Sequence, residues 1–314
     1  MQFVDVRSDI AFRKIFGNEG KKGILISFLN AVLGLAGDRE IDDLSILNPY
    51  QTPNIKILKE TILDIRAVDK RGITFIIEIQ IQRQSGFEKR VLYYTSKAYI
   101  AQLEKGDDYP ALKPVIYIGI LDFDMFEGDS YITRHLILNS ATLRQELMDF
   151  EFNFIELPKF TKTEDELQSV VDKWIHFIKN AGSMQIIPKS ADFAEIQEAY
   201  NIATRMFWSK DEFELYDYWL IRLQDERGAI EYSFLEGERK GRLEGERKGR
   251  LEGKLEGKYE GLLEGIEVIL EVKYADVATD IMESVRKLGT IEKLEEFKKL
   301  LKTSASVEDL KGFF

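Results

Sequence analysis

The chain has no cysteine and only two histidines among its 314 residues. Without cysteine there are no disulfides, thiol nucleophiles or zinc–cysteine sites. His135 and His176 lack metal-ligand spacing and stand in no Ser or Asp constellation that suggests a triad, so packing or surface roles are expected for both. No apolar run reaches the roughly 18 residues of a membrane-spanning helix, and the opening MQFVDVRSDI lacks a signal-peptide pattern. No membrane association and a cytoplasmic location are therefore expected. Excess positive charge is also missing: the net charge is −11, the wrong sign for a protein whose partner is polyphosphate. The deficit is uneven, however. Residues 1–110 carry 16 Lys and Arg against 15 Asp and Glu, and the remainder carries 28 against 40. The N-terminal part is thus close to neutral, which permits nucleic-acid binding without arguing for it.

What is present begins with a globular composition, 44% hydrophobic, in a chain long enough for one large or two small domains. The most informative stretch is Thr61 to Gln82, TILDIRAVDKRGITFIIEIQIQ. Two β-branched, alternating runs flank Asp69-Lys70-Arg71-Gly72, which predicts a β-hairpin. A three-residue loop with glycine in its last, left-handed position makes Asp69 pair with Ile73. That register sets Leu63 against Ile79, Ile65 against Ile77 and Ala67 against Phe75, an apolar face for the core. It also sets Asp64 directly opposite Glu78, with Gln80 on the same face. Like charges so placed are destabilising and call for neutralisation. One candidate is a divalent cation, since Mg²⁺ is held by one or two carboxylates together with waters and phosphates. The other is a solvated sheet face on which Arg66 pairs one carboxylate.

Asp64, a hairpin turn and then Glu78-Ile79-Gln80 resemble the D…(D/E)xK core of the PD-(D/E)xK nuclease superfamily. Within it the chain resembles the bacterial family of recombination-promoting nucleases and transposases. Three more stretches carry the likeness: Ser8 to Gly17 (SDIAFRKIFG), Arg90 to Tyr99, and Lys113 to Ile120 (KPVIYIGI). The likeness runs from about Val6 to Leu157, and the Gly-rich tail is also typical. Two residues depart from the superfamily pattern: Leu63 stands where Pro is expected, and Gln80 where the catalytic Lys usually sits. Glutamine there is similar to the variant in this family and in some restriction enzymes, and it removes a cation.

The resemblance implies an α/β, restriction-endonuclease-like fold, a mixed sheet flanked by helices. It implies Mg²⁺, with Mn²⁺ or Ca²⁺ as substitutes, held by Asp64, Glu78 and the Ile79 carbonyl. Gln80 would position water or phosphate, and Asp9 would act as an accessory acid. Asp9 has a second reading from the residues alone, a helix N-terminal carboxylate favoured by cap and dipole. Arg90, Tyr93, Tyr94 and Lys97 share a helical stripe, from which Arg90 and Lys97 can reach phosphate or simply be solvated.

Along the rest of the chain, apolar spacing predicts two helices over residues 8–35 and one over residues 87–103. Strands are expected at residues 42–47, 115–121, 131–138 and 152–157, followed by helical structure over residues 163–226. Asp122 and Asp124 follow a strand and are expected in a turn. Met206-Phe207-Trp208 read as core. Residues 236–265 place glycine at every fourth position, and GERKGRLE occurs at 237 and again at 245. Glycine costs about 0.8–1.0 kcal/mol relative to alanine in a helix, while Glu, Lys, Arg and Leu favour one, so this part is expected as a marginal helix or spacer. Residues 266–314 regain helical periodicity, with Thr290 and Ser306 as candidate caps. The organisation expected is a nuclease-like domain over residues 1–235, the low-complexity segment 236–265, and a small helical region 266–314 that docks or forms a homo-oligomer. The expected activity is metal-dependent endonucleolytic hydrolysis of DNA linked to recombination or mobile elements. The alternative is a non-catalytic nucleic-acid- or protein-binding module that keeps the fold.

Overall fold

A computed structural model describes residues 3–48, 50–51, 61–62, 64–104 and 106–314. The chain divides into two compact units, residues 1–222 and 223–314.

The first unit opens with α1 (Asp9–Phe16) and α2 (Gly23–Leu33), the two helices expected from the apolar spacing. Ser8 caps α1 by accepting from Ala11 N–H. Next come β1 (Leu44–Leu47), the short antiparallel pair β2 (Tyr50–Gln51) and β3 (Thr61–Ile62), and the hairpin strands β4 (Ile65–Asp69) and β5 (Thr74–Gln80). Helix α3 (Phe87–Ile100) leads to β6 (Val115–Leu121), then β7 (Ile132–Leu136) and β8 (Phe150–Glu156). Helices α4 (Val170–Asn180) and α5 (Ala194–Ala203) follow. Six strands make one mixed sheet in the order β1-β4-β5-β6-β8-β7, in which β5, β6 and β8 run parallel and the outer pairs antiparallel.

The hairpin has the expected register: Ile65 faces Ile77, Ala67 faces Phe75, and the Asp69 N–H donates to the Ile73 carbonyl at 3.1 Å. Gly72 has φ +84°, the left-handed conformation that the loop needs. Leu63, expected opposite Ile79, lies outside the described residues. Ile65, Ala67, Phe75, Ile77 and Ile79 pack with Ile118, Ile120, α1, α2, α4 and α5 in the main core. On the other face Ile76, Tyr117 and Leu121 pack with Phe87, Val91 and Ala98 of α3. The alternation along β5 and β6 therefore feeds two layers of helix, one on each side of the sheet.

Helix α6 (Lys210–Tyr274) runs for 65 residues, through the whole glycine-rich segment, which is helical where a spacer was also open. In a helix of 3.6 residues per turn, positions four apart advance by about 40°. The glycine row therefore winds around α6 and offers no single face for close backbone approach. From Gly237 to Gly261 a β-carbon added at any of these glycines would meet open space.

In the second unit, α7 (Ala278–Arg286), α8 (Ile291–Thr303) and α9 (Glu308–Lys311) bury Ile281, Val285, Leu294, Phe297, Leu301 and Leu310 against Ile266 and Leu270 of α6. The C-terminal periodicity thus packs these helices against the end of α6. Thr290 caps α8 as expected. Ser306 instead donates its N–H to Asp309 Oδ2, and Val307 is the cap of α9. No helix among the described residues is long and apolar enough to cross a membrane.

Candidate active site

The site is built where the hairpin stops being a hairpin. The described part of β4 begins at Ile65, and Asp64 sits in a bend just before it. Its carboxylate takes the place of a strand partner: Oδ2 accepts from the Ile79 N–H at 2.9 Å. The Ile79 carbonyl leaves β5 on the same edge as that N–H, beside the acid. Asp64 Oδ1 accepts from Arg13 Nη2 at 3.1 Å. Arg13 lies one helical turn after Asp9 on α1, and Asp9's charge in turn raises the Asp64 pKa. Burial is the larger cause of that rise, and the Ile79 N–H and Arg13 oppose it. The α1 cap is Ser8, so Asp9 is a first-turn acid within electrostatic reach of Asp64.

Glu78 is 7% exposed. Its Oε2 accepts from the hydroxyl of Tyr117, a fully buried residue of β6, at 2.8 Å. Burial pushes the Glu78 carboxyl up to about 7, and the Asp64 charge adds to the shift. The Tyr117 hydrogen bond and the positive charge of Arg90 pull the other way. Burial and the nearby Glu78 hold the Tyr117 phenol well above its ordinary range, so it remains a donor. The parallel register places Gly119 beside Glu78. A β-carbon at Gly119 would stand 2.9 Å from Phe154 Cδ1 and 3.1 Å from Tyr117 Cε1, so glycine makes room for the ring that holds Glu78.

Gln80, one sheet layer from Glu78, is held at both ends of its amide. Its amide oxygen accepts from Arg90 Nη2, and its Nε2 donates to the Gln82 carbonyl at 2.9 Å. Arg90 also donates from Nη1 to Gln84 at 2.9 Å and lies over the rings of Phe87 and Tyr94. Lys97, two turns further along α3, is 8% exposed and buried rather than solvated. Of the residues singled out in sequence, the fold therefore brings together Asp64, Glu78, Ile79, Gln80 and Arg90, with Asp9 felt through its charge.

Arg13 and Tyr117 were not singled out. Arg13 had a signal, its i+4 spacing from Asp9. Tyr117 had none, because the parallel pairing of β5 with β6 is a long-range contact. Arg66 does not pair a site carboxylate; Arg13 takes that role. Asp122 lies in a bend directly after β6 and also accepts from Arg7 Nη1 at 2.7 Å, an ion pair not expected from the sequence. His135 packs its ring against Phe126 and Phe154, and His176 is buried on α4. Trp208 is core, whereas Met206 and Phe207 are exposed.

The donor set fits a hard divalent cation. The half-buried carboxylate of Asp64, whose charge raises the pKa of buried Glu78, Glu78 itself and an adjacent backbone carbonyl match the few protein oxygens Mg²⁺ takes when waters and phosphate complete its shell. No cluster of three or more His, Cys, Asp or Glu side chains able to hold a metal occurs among the described residues.

A family profile described as PD-(D/E)XK nuclease family transposase matches residues 6–233, well over half of the chain. No curated protein and no solved structure matches.

Proposed function

Since the chain belongs to the PD-(D/E)XK nuclease family of transposases, we propose that it is a metal-dependent DNA endonuclease that hydrolyses phosphodiester bonds in the recombination or spread of mobile elements. Membership implies a phosphodiesterase with DNA as partner. The observation that carries the finer reading is the meeting of half-buried Asp64 and buried Glu78 at the open end of the hairpin, each raised in pKa by burial and by a neighbouring acid.

In this reading Asp64, Glu78 and the Ile79 carbonyl hold Mg²⁺ or Mn²⁺. When bound, such an ion stabilises charge on the phosphate and lowers the pKa of an attacking water. Tyr117 fixes the rotamer of Glu78, and the Ile79 N–H fixes that of Asp64. Asp9 adds negative charge behind Asp64, strengthening the pair's demand for a cation.

The missing lysine is answered by Arg90. Gln80 spends its amide on that guanidinium, and Arg90's charge is felt at Glu78. We assign Arg90 to the scissile phosphate, which Arg can grip with two parallel donors, and Gln80 to holding Arg90 in place. Lys97, buried on the same helix, contributes positive potential behind it.

A second reading rests on the same amide. Gln80 brings no cation to the site, and its amide is partnered with Arg90 and the Gln82 carbonyl, an arrangement that a non-catalytic binding module would tolerate. Nicking of supercoiled plasmid separates the two. Wild type should cleave with Mg²⁺ or Mn²⁺, and Asp64→Asn and Glu78→Gln should not. Equal cleavage by all three would refute the site. DNA binding without cleavage in any metal would favour the module.

A further inference from the structure

Arg66 projects from the sheet face that carries Glu78, yet the site described above does not use it. It alternates with Ile65 and Ala67, whose side chains enter the main core, so it shares the face of Ile76 and Glu78. It pairs in register with Ile76 of β5 on one side and Leu47 of β1 on the other, both apolar. Its guanidinium Nε is buried and has no hydrogen-bond partner among the described residues. Nor does any carboxylate there pair with it: burial is the one cause that shifts its pKa, and it lowers it. The charges felt at Glu78 are those of Asp64 and Arg90, not of Arg66.

A half-buried guanidinium without a counter-charge is costly. The cost is recovered if an anion arrives from outside. Along the hairpin, the order from the turn outward is Arg66, then the pair Asp64 and Glu78, then Gln80 with Arg90. Adjacent layers are two residues apart, about 6.6 Å at the rise of a strand. Cations thus bracket the acids on both sides, and neither acid pairs with Arg66. We propose that Arg66 grips a backbone phosphate next to the one lying at Asp64 and Glu78, so that a nucleic-acid strand runs along the hairpin from Arg66 towards Arg90. This rests on the nuclease reading above and adds the direction in which substrate crosses the site.

The test uses the full chain carrying Glu78→Gln, so that bound DNA stays intact, with and without Arg66→Gln. Binding of a short labelled duplex is followed against salt concentration. Loss of one phosphate contact should make the slope of log K against log salt shallower by about 0.9. Affinity at low salt should fall roughly tenfold. Arg66→Lys keeps the charge and should keep the parent slope. Arg66→Met should melt at or above the parent temperature, since no internal partner is lost. Parent and Arg66→Gln binding with equal slope and affinity would overturn the assignment and leave the nuclease reading standing. A lower melting temperature in Arg66→Gln with unchanged slope would also overturn it, by showing a packing role. A parent that binds neither duplex nor single-stranded DNA would overturn both.

Discussion

Glu78→Gln removes a charge that the fold holds at a cost, and the cost can be worked from the structure. The carboxyl is displaced from 4.5 to about 7. At about 1.4 kcal/mol per pH unit, keeping it ionised in the folded protein costs roughly 3 kcal/mol when no cation is bound. The sign follows from proton binding. Between pH 4.5 and 7 the folded state holds this proton and the unfolded state has lost it, so stability falls as pH rises through that window. Below the window neither state is charged; above it the penalty is complete. Glutamine carries no such penalty and can still accept from Tyr117. The three tryptophans, Trp174, Trp208 and Trp219, all lie in the first unit, so their fluorescence reports its melting alone. For a unit of this size, 1 kcal/mol moves the melting temperature by about 2–4 °C. In chelator, Glu78→Gln should therefore melt roughly 6–12 °C above wild type at pH 8 and only slightly above it at pH 5. Added Mg²⁺ at pH 8 should raise wild type and leave the variant unmoved. An equal margin at both pH values, or a variant less stable at pH 8, would refute the account of the acid pair.

Two further substitutions probe the support around Glu78 and Arg90. Gly119→Ala drives a methyl into Phe154 and Tyr117 and should cost about 1–3 kcal/mol, with a lower tryptophan-detected melting temperature and weakened plasmid nicking. Gln80→Lys sets a second cation against Arg90, whose Nη2 now donates to the Gln80 oxygen; it should lower melting at low salt, recover as salt is added, and retain Mg²⁺-dependent nicking.

How much could be read in advance depended on how far apart the contacting residues lie in the chain. The hairpin was legible because its turn is local: Asp69 and Gly72 fix the register, and period two then sorts every side chain to a face. The helices of residues 9–33 and the strand Val115–Leu121 were legible for the same reason. Tyr117 and Gly119 were not, since their roles exist only once β5 pairs parallel to β6 across an intervening helix. Arg13 needed the packing of α1 on the hairpin, which brings it to Asp64 from 51 positions away. The glycine-rich part of α6 fell on a balance, with the intrinsic cost of glycine set against helix-favouring neighbours and ion pairs such as Arg239–Glu236.

The bond from the Ile79 N–H to Asp64 means that one carboxylate both closes a frayed edge of the sheet and faces the chemistry. Structural and chemical damage are therefore confounded at that position. Alanine at residue 64 would unfasten the end of β5 as well as delete a ligand, and the loss of activity would carry no clear meaning. Asparagine keeps an acceptor for the Ile79 N–H while removing the charge. The same economy restricts evolution: a lineage that abandons cleavage can afford to lose Glu78, whose removal relieves the fold, sooner than Asp64, whose removal unravels an edge. Degenerate relatives that only bind DNA should have shed their second acid and kept their first.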